Sequence, residues 1–392
     1  MVFLQLCAHP APGFLSILSF LLLIICLQQQ AVADATASQP CFPALFVFGN
    51  SLSDTGNGVL TGNVLFTRAS QNPYGATFPG HPSGRFSDGR LLVDFLAEYV
   101  GLPPVNPSLD SGADFSRGVN YAIAGAAALN ASELRSLLVG IVGRDYSLEV
   151  QLGWHLSLKA SGNGIKKPSR DAYSTGLYVL EFGGNDYINA LRLSLYSPLQ
   201  VSSVFVPLVI SKIRDITTRL YTHGARHFLF VSITPLGCSP VFLASGRNGE
   251  KDSFGCLKDI NSLSYKHGSE LVKLAKDLRV TLPDADFVVV DYYDAYEHIL
   301  ENSDSYGFTN TLDACCGAGQ DFSNNFNLLL FCNKKTSTKI PSGLCPDPNV
   351  YLNWDGIHFT DRFNSLVFDI TIGGKAPYLY PPEGFSMCRP GI

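Results

Sequence analysis

Short apolar runs recur along the chain at residues 44–48, 177–182, 227–233 and 287–290, with a weaker one at 119–122. Each is a few residues long and mostly apolar without regular alternation, the pattern of a strand buried on both faces. Between and after them lie stretches with helical spacing at 90–100, 148–160, 204–223 and 260–282, and a last one at 360–372 for which Thr360 or Asp361 is the cap. Parallel strands have to be joined by crossovers, usually helices. The alternation therefore predicts one three-layer α/β/α domain around a central, mostly parallel sheet. The remaining stretches are loops: 72–85 is dense in Pro and Gly, 243–254 is polar, and 303–349 is long and cysteine-bearing. Long ordered loops of α/β proteins commonly build the binding site.

The chain opens differently. Residues 1–33 contain no Asp, Glu, Lys or Arg, and 14–27 form an apolar run too short for a comfortable membrane span. Ala31 and Ala33 supply a small-x-small cleavage pattern. Residues 1–33 are thus expected to be a signal peptide and 34–392 the mature domain, a retained signal anchor being the alternative. No other run reaches the roughly 18 apolar residues of a span, so the mature chain is expected to be soluble and secreted, with the Golgi lumen as the alternative destination. The formal net charge of −5 argues against nucleic acid as a partner. Oligomeric state is not legible.

Cys7 and Cys26 leave with the signal peptide, and Cys41, Cys238, Cys256, Cys315, Cys316, Cys332, Cys345 and Cys388 remain. An even set in an oxidising compartment reads as a disulfide framework. Neighbouring Cys315 and Cys316 cannot pair with each other without severe strain, and are expected to reach Cys332 and Cys345. Cys238 with Cys256 and Cys41 with Cys388 would complete the set, although spacing alone leaves the connectivity open. The repeated C-x-x-C spacing of a zinc site is missing. Asn130-Ala131-Ser132 fits the glycosylation sequon, whereas Asn106 is spoiled by Pro107.

The strand at 44–48 runs straight into Gly49-Asn50-Ser51, which would present Ser51 at the carboxyl edge of the sheet. A serine nucleophile needs a base, usually a histidine held by an acid. Outside the leader, only His358 has a carboxylate three residues before it, Asp355 in the stretch N-W-D-G-I-H-F-T. On one turn of chain, Asp355 can hold one ring nitrogen and leave the other for Ser51, although D-x-x-H alone also suits a capped, solvated loop. The strand at 177–182 breaks at Gly183-Gly184 and delivers Asn185 to the same edge. Its carboxamide is a suitable oxyanion donor, while Gly-Gly-Asn-Asp is also ordinary turn composition. Gly125 follows the weak strand at 119–122, where a glycine lets a backbone N–H approach a ligand or a helix pack tightly. The Ser51, Gly125 and Asn185 N–H groups are the candidate oxyanion hole.

In order and content these blocks resemble the plant GDSL esterase/lipases of the SGNH hydrolase superfamily, from about Phe46 to the C-terminal helix. The serine block is Gly49-Asn50-Ser51-Leu52-Ser53-Asp54-Thr55-Gly56-Asn57, the glycine block corresponds to Gly125, the G-x-N-D block to Gly183 through Asp186, and the D-x-x-H block to Asp355 and His358. T-P-L-G-C-S-P and D-A-C-C-G-A-G are similar to cysteine-bearing segments of the plant branch. The resemblance implies the flavodoxin-like SGNH fold, ester chemistry and no metal or organic cofactor. The chain departs from the family's usual pattern at Asn50, where an Asp is usual. The G-x-S-x-G elbow of classical α/β-hydrolases does not surround Ser51.

The function expected is that of a serine esterase working through an acyl-enzyme on carboxylic esters, with acylated carbohydrate or another small-acyl ester as substrate. Loop residues Tyr74, Tyr306, Phe308, Asn310, Phe322 and Asn324 would offer stacking and hydrogen bonds to sugars, or pack beneath the loops. An acyltransferase, a lipase acting on lipid esters and a non-catalytic binding protein are the alternatives.

Overall fold

In the computed structural model the five apolar runs form β1 (Leu45–Phe48), β2 (Gly118–Asn120), β3 (Leu177–Glu181), β4 (His227–Val231) and β5 (Asp286–Val290). Residues 40–140, 144–162, 164–192, 196–319, 322–327, 332, 343–374 and 377–385 are described. By its contacts the chain divides into Met1–Cys41 and Phe42–Ile392, and the second unit holds all of the secondary structure among the described residues. The expected signal peptide lies outside the described residues, as does Cys388 of the expected Cys41–Cys388 bridge.

The strands run parallel in the order β2-β1-β3-β4-β5, and Leu379–Tyr380 adds an antiparallel edge beside β5. This is the flavodoxin-like order, in which a crevice opens where the winding reverses, at the carboxyl ends of β1 and β3. Those are the two strands that lead into Ser51 and Asn185.

Among the described residues seven helices have eight residues or more: α1 (Leu92–Tyr99), α2 (Leu148–Ala160), α3 (Gly184–Arg192), α4 (Val206–Thr222), α5 (Lys258–Thr281), α6 (Tyr292–Glu301) and α7 (Asp361–Ile370). Side chains alternate across a strand, so each face of the sheet is served by every second residue. On one face Phe46, Tyr178, Phe228 and Phe287 stand in register, with successive ring centroids 4.7, 5.7 and 5.1 Å apart. These rings join the buried cluster formed with α2, α4 and α5. On the other face Val179, Leu229 and Val231 look toward Leu92, Val93 and Leu96 of α1 and Tyr292 of α6. Each large apolar side chain so buried contributes about 1.5–3 kcal/mol, and the unalternating composition of the strands follows from both faces being covered.

The structure differs from the expectation at a few places. Gly183-Gly184 is more than a turn: Gly183 has φ +115 and α3 begins at the next residue. A Cβ at Gly183 would meet His267 Cε1 at 2.8 Å, so both the conformation and the space require glycine there. Helix α4 starts at Val206 after a π-helical turn at Val201–Phe205. Helix α6 and the antiparallel edge lack a clear sequence signal. Thr360 caps α7, its Oγ1 accepting from Phe363 N at 3.2 Å.

The cysteine-bearing loop carries two small sheets, Asn310–Ala314 with Tyr351–Asn353 and Cys316–Gly317 with Gly343–Leu344. Disulfides join Cys315 to Cys345, Cys316 to Cys332 and Cys238 to Cys256, as expected. No helix among the described residues is long and apolar enough to cross a membrane.

Candidate active site

Strand β1 ends in a turn fixed by its own polar atoms. Leu52 N donates to Asn50 Oδ1 (3.0 Å) and Ser53 N to Asn50 O (3.2 Å). From α2, the Gln151 carboxamide pairs with the Gly49 backbone, accepting from its N–H (3.0 Å) and donating to its carbonyl (2.8 Å). Ser51, between these anchors, is 6% exposed.

The D-x-x-H block folds onto it. His358 Nε2 lies 2.7 Å from Ser51 Oγ, and His358 Nδ1 lies 2.8 Å from each oxygen of Asp355. Asp355 Oδ1 accepts from the N–H groups of Ile357 and His358 (2.9 Å each), and Oδ2 from the Tyr74 hydroxyl (2.9 Å). Burial pushes the Asp355 carboxyl up, but the His358 charge and hydrogen bond, the Arg68 charge and the Ile357 amide outweigh it and hold the group well below the usual carboxylate range. An anionic carboxylate on Nδ1 selects the tautomer with Nδ1–H and leaves Nε2 as acceptor for the serine hydroxyl. Phe86 packs on the imidazole with ring centroids 4.9 Å apart.

The glycine block adjoins the serine turn, since Ile123 N donates to Gly49 O (3.2 Å). Gly125 has φ +78, a left-handed conformation that favours glycine. Asn185 Nδ2 donates to Ala126 O (2.9 Å), which fixes the carboxamide and leaves its second N–H for another acceptor. Two carboxylates missed by the sequence reading stitch this segment down. Asp54 accepts from Gly56, Gly58 and Ala124 N–H, and Asp186 from Ala128 and Leu129 N–H. Burial pushes Asp54 up to about 6 and Asp186 up to about 7, against the lowering effect of those amides. The polar run after Ser51 is thereby explained, since Asn57 Nδ2 also reaches the Asn120 and Ala122 carbonyls.

The structure therefore brings Ser51, His358 and Asp355 into one hydrogen-bonded series and joins the Gly125 segment to Asn185. Among the loop residues read as stacking or packing groups, Tyr74 and Phe308 pack, and Tyr306, Asn310, Phe322 and Asn324 stay partly exposed. Tyr74 and Phe308 are buried, and Tyr74 is spent on Asp355. The Tyr306 hydroxyl meets His298 Nε2 (3.0 Å), Asn310 bonds Asp313, and Asn324 reaches Leu312 O and Asp313. Asn130 of the sequon caps the helix Ala131–Ser136 through its side-chain oxygen. Besides the roles of Asp54 and Asp186, sequence reasoning passed over Gln151 and Glu181, and it read Tyr74 only as a loop aromatic. Of these, only Glu181 left a trace, as a carboxylate closing an apolar strand. Among the described residues no group of three or more His, Cys, Asp or Glu is arranged to hold a metal ion.

Ser51 and His358 thus face each other at the switch point of the sheet. The chain belongs to the GDSL-like lipase/acylhydrolase family, whose model matches residues 45–371, and it is a carboxylic ester hydrolase. It is 36% identical over 323 residues to acetylajmalan esterase 2 of Rauvolfia serpentina, covering 82% of this chain and 86% of that protein. With one GDSL esterase/lipase of Arabidopsis thaliana it shares 34% identity over 386 residues, 96% of each chain. A structure of an acetyl xylan esterase from Geobacillus stearothermophilus aligns with 67% of this chain and 83% of that one at 11% identity and a TM-score of 0.32, too remote to carry an argument.

Proposed function

We propose that this chain is a secreted serine esterase that hydrolyses small-acyl carboxylic esters through an acyl-enzyme, with Ser51, His358 and Asp355 as its triad. The observation that carries the reading is the His358 imidazole, 2.7 Å from Ser51 Oγ on one side and 2.8 Å from Asp355 on the other. In the mechanism His358 Nε2 takes the Ser51 proton as Oγ attacks the ester carbonyl. The Ser51 and Gly125 amides and the free N–H of Asn185 stabilise the oxyanion. His358 then gives the proton to the leaving alcohol, and a water activated by the same nitrogen cleaves the acyl-enzyme. Asp355 keeps the imidazole in one tautomer and stabilises its charged form throughout.

Support for a small acyl group comes from the relative in Rauvolfia serpentina, whose name assigns it an acetylated substrate. An acylated carbohydrate is the alcohol portion we favour, supported by the partly exposed Tyr306, Asn310, Phe322 and Asn324 of the loops. The secretory route rests on residues 1–33 as a signal peptide ahead of a single domain at 34–392, and on the disulfides, which persist in oxidising compartments. The test is hydrolysis of p-nitrophenyl esters from acetate to palmitate by the oxidatively folded chain beside Ser51→Ala. Activity should be highest on the short esters and fall at least about 1,000-fold in the variant. A folded Ser51→Ala protein with full activity would overturn the triad, and a preference for palmitate would overturn the small-acyl reading.

A further inference from the structure

Strand β3 ends in a carboxylate that is buried directly beneath the serine turn. Glu181 is 3% exposed, and its neighbours on that face of the sheet are mostly apolar: Leu92, Val93 and Leu96 of α1 and Val231 of β4. Its polar contacts come from the two sides of Ser51. Asn50 Nδ2 donates to Glu181 Oε1 (3.2 Å) and to the Glu181 carbonyl (3.3 Å), and Ser53 Oγ donates to Oε2 (2.5 Å). Tyr292 of α6 is the further titratable group facing it, and its hydroxyl is raised by burial first and by the charge of Glu181 second. Asn50 is itself 4% exposed, with its oxygen committed to Leu52 N. The turn that holds the nucleophile is thus bracketed to the central strand by one amide and one hydroxyl.

The two donors differ in what they tolerate. A carboxylate at 181 accepts from both. A protonated Glu181 can keep Oε1 as acceptor for Asn50 while its own O–H turns to Ser53 Oγ, because a hydroxyl both donates and accepts. Burial favours that protonated form and pushes Glu181 up to about 7. Asn50 needs no proton to make its bond. A carboxylate at position 50 would need one, since two bare carboxylates at this separation repel.

We propose that Glu181 is a positioning residue for Ser51 and that Asn50 makes its bracket independent of pH, replacing a proton-sharing carboxyl pair by an amide that donates in every protonation state. The inference rests on the reading of Ser51 as nucleophile. It says what the neutral residue at 50 does in this chain, where an Asp would tie the nucleophile turn to a proton shared with Glu181.

The experiment compares kcat/KM, each variant as a ratio to the native chain across pH 6 to 9, so that titration of His358 cancels. Asn50→Asp should match the native chain at the acid end and fall about tenfold by the alkaline end as the shared proton is lost. Glu181→Gln should keep a flat ratio, because a carboxamide can still accept from Asn50 and donate to Ser53. The double variant Asn50→Asp, Glu181→Gln exchanges amide and carboxylate and should abolish the alkaline fall. A flat ratio for Asn50→Asp, or a double variant that falls as steeply, overturns the proposal. Unfolding midpoints over the same pH range read the bracket without catalysis, Asn50→Asp losing stability relative to the native chain as pH rises. If Ser51→Ala stays active, the esterase reading fails while these midpoints still decide whether the bracket exists.

Discussion

The Tyr74 hydroxyl donates a 2.9 Å hydrogen bond to Asp355 Oδ2, the oxygen that the two backbone amides of the D-x-x-H turn leave free. Both groups are buried, and Tyr74 packs edge-on against Phe86 and Trp354. Burial first, and the Asp355 charge second, push the Tyr74 hydroxyl well above its ordinary value, so it acts as a donor at any working pH. A buried carboxylate that must stay anionic to hold an imidazolium needs each lone pair answered, and Tyr74 supplies an answer from a loop far away in sequence.

Tyr74→Phe removes that donor and leaves the ring packing. A hydrogen bond to a charged group is worth about 1.5–3 kcal/mol, so kcat should fall about tenfold or more while KM stays near its native value. Steady-state kinetics on a short p-nitrophenyl ester decides it, and an unchanged kcat would show that Asp355 does not depend on Tyr74.

Asn185 gives one N–H to the Ala126 carbonyl and keeps a second. Asn185→Ala removes a proposed oxyanion donor and also its bond to the Gly125 segment. The expected loss is about 100- to 1,000-fold in kcat, with KM changed much less. Asn185→Asp, equal in size but without the N–H groups, should be at least as poor. A native-like kcat in either variant would remove Asn185 from the oxyanion hole.

The disulfide loop reaches the site through the backbone. Cys315 N donates to Asn353 O (3.0 Å) and Cys316 N to Trp354 O (2.7 Å), so the two cysteines are paired with the residues just ahead of Asp355. Replacing Cys315 and Cys345 together by Ala should lower stability by about 3 kcal/mol, and should lower kcat as Asp355 and His358 lose their fixed platform. Thermal unfolding and kinetics below the variant's midpoint separate the two effects. Lost stability with native kcat would confine the bridge to folding.

What was legible in the sequence is what local pattern controls. β1 and β3 to β5 are buried on both faces and declare themselves by unbroken apolar runs, and the weaker run declares β2. Ser51 and His358, which the structure brings together, were singled out because a strand end and a D-x-x-H spacing each have a local signature. The roles of Asp186, Gln151, Glu181 and Tyr74 escaped because their partners lie far away in sequence: Asp186 answers Ala128, Gln151 answers Gly49, Glu181 answers Asn50, and Tyr74 answers Asp355. Helix α3 escaped for a different reason, because Gly183-Gly184 reads as a turn and the helix begins inside it.

The buried carboxyls set a direction for stability against pH. Burial pushes Asp54 and Asp291 up to about 6 and Glu181 and Asp186 up to about 7. In the unfolded chain such groups titrate near about 4. With the folded value raised, the folded state holds more protons between those limits. The stability they contribute is complete below the unfolded value and is lost as pH rises through about 4 to 7. Asp355 acts with the opposite sign, but its value is held low, so its contribution disappears only as pH falls below the ordinary carboxylate range. The unfolding midpoint should therefore be higher at pH 5 than at pH 8, with protons released on unfolding in between. Asp186→Asn, which removes one of these titrations while its side-chain oxygen can still accept from the Ala128 or Leu129 amide, should make the decline shallower. Calorimetric scans at half-unit pH steps check both statements. A midpoint that rises from pH 5 to pH 8 would mean that these carboxyls are ionised in the folded protein and that the stitching around the serine turn is carried by charge.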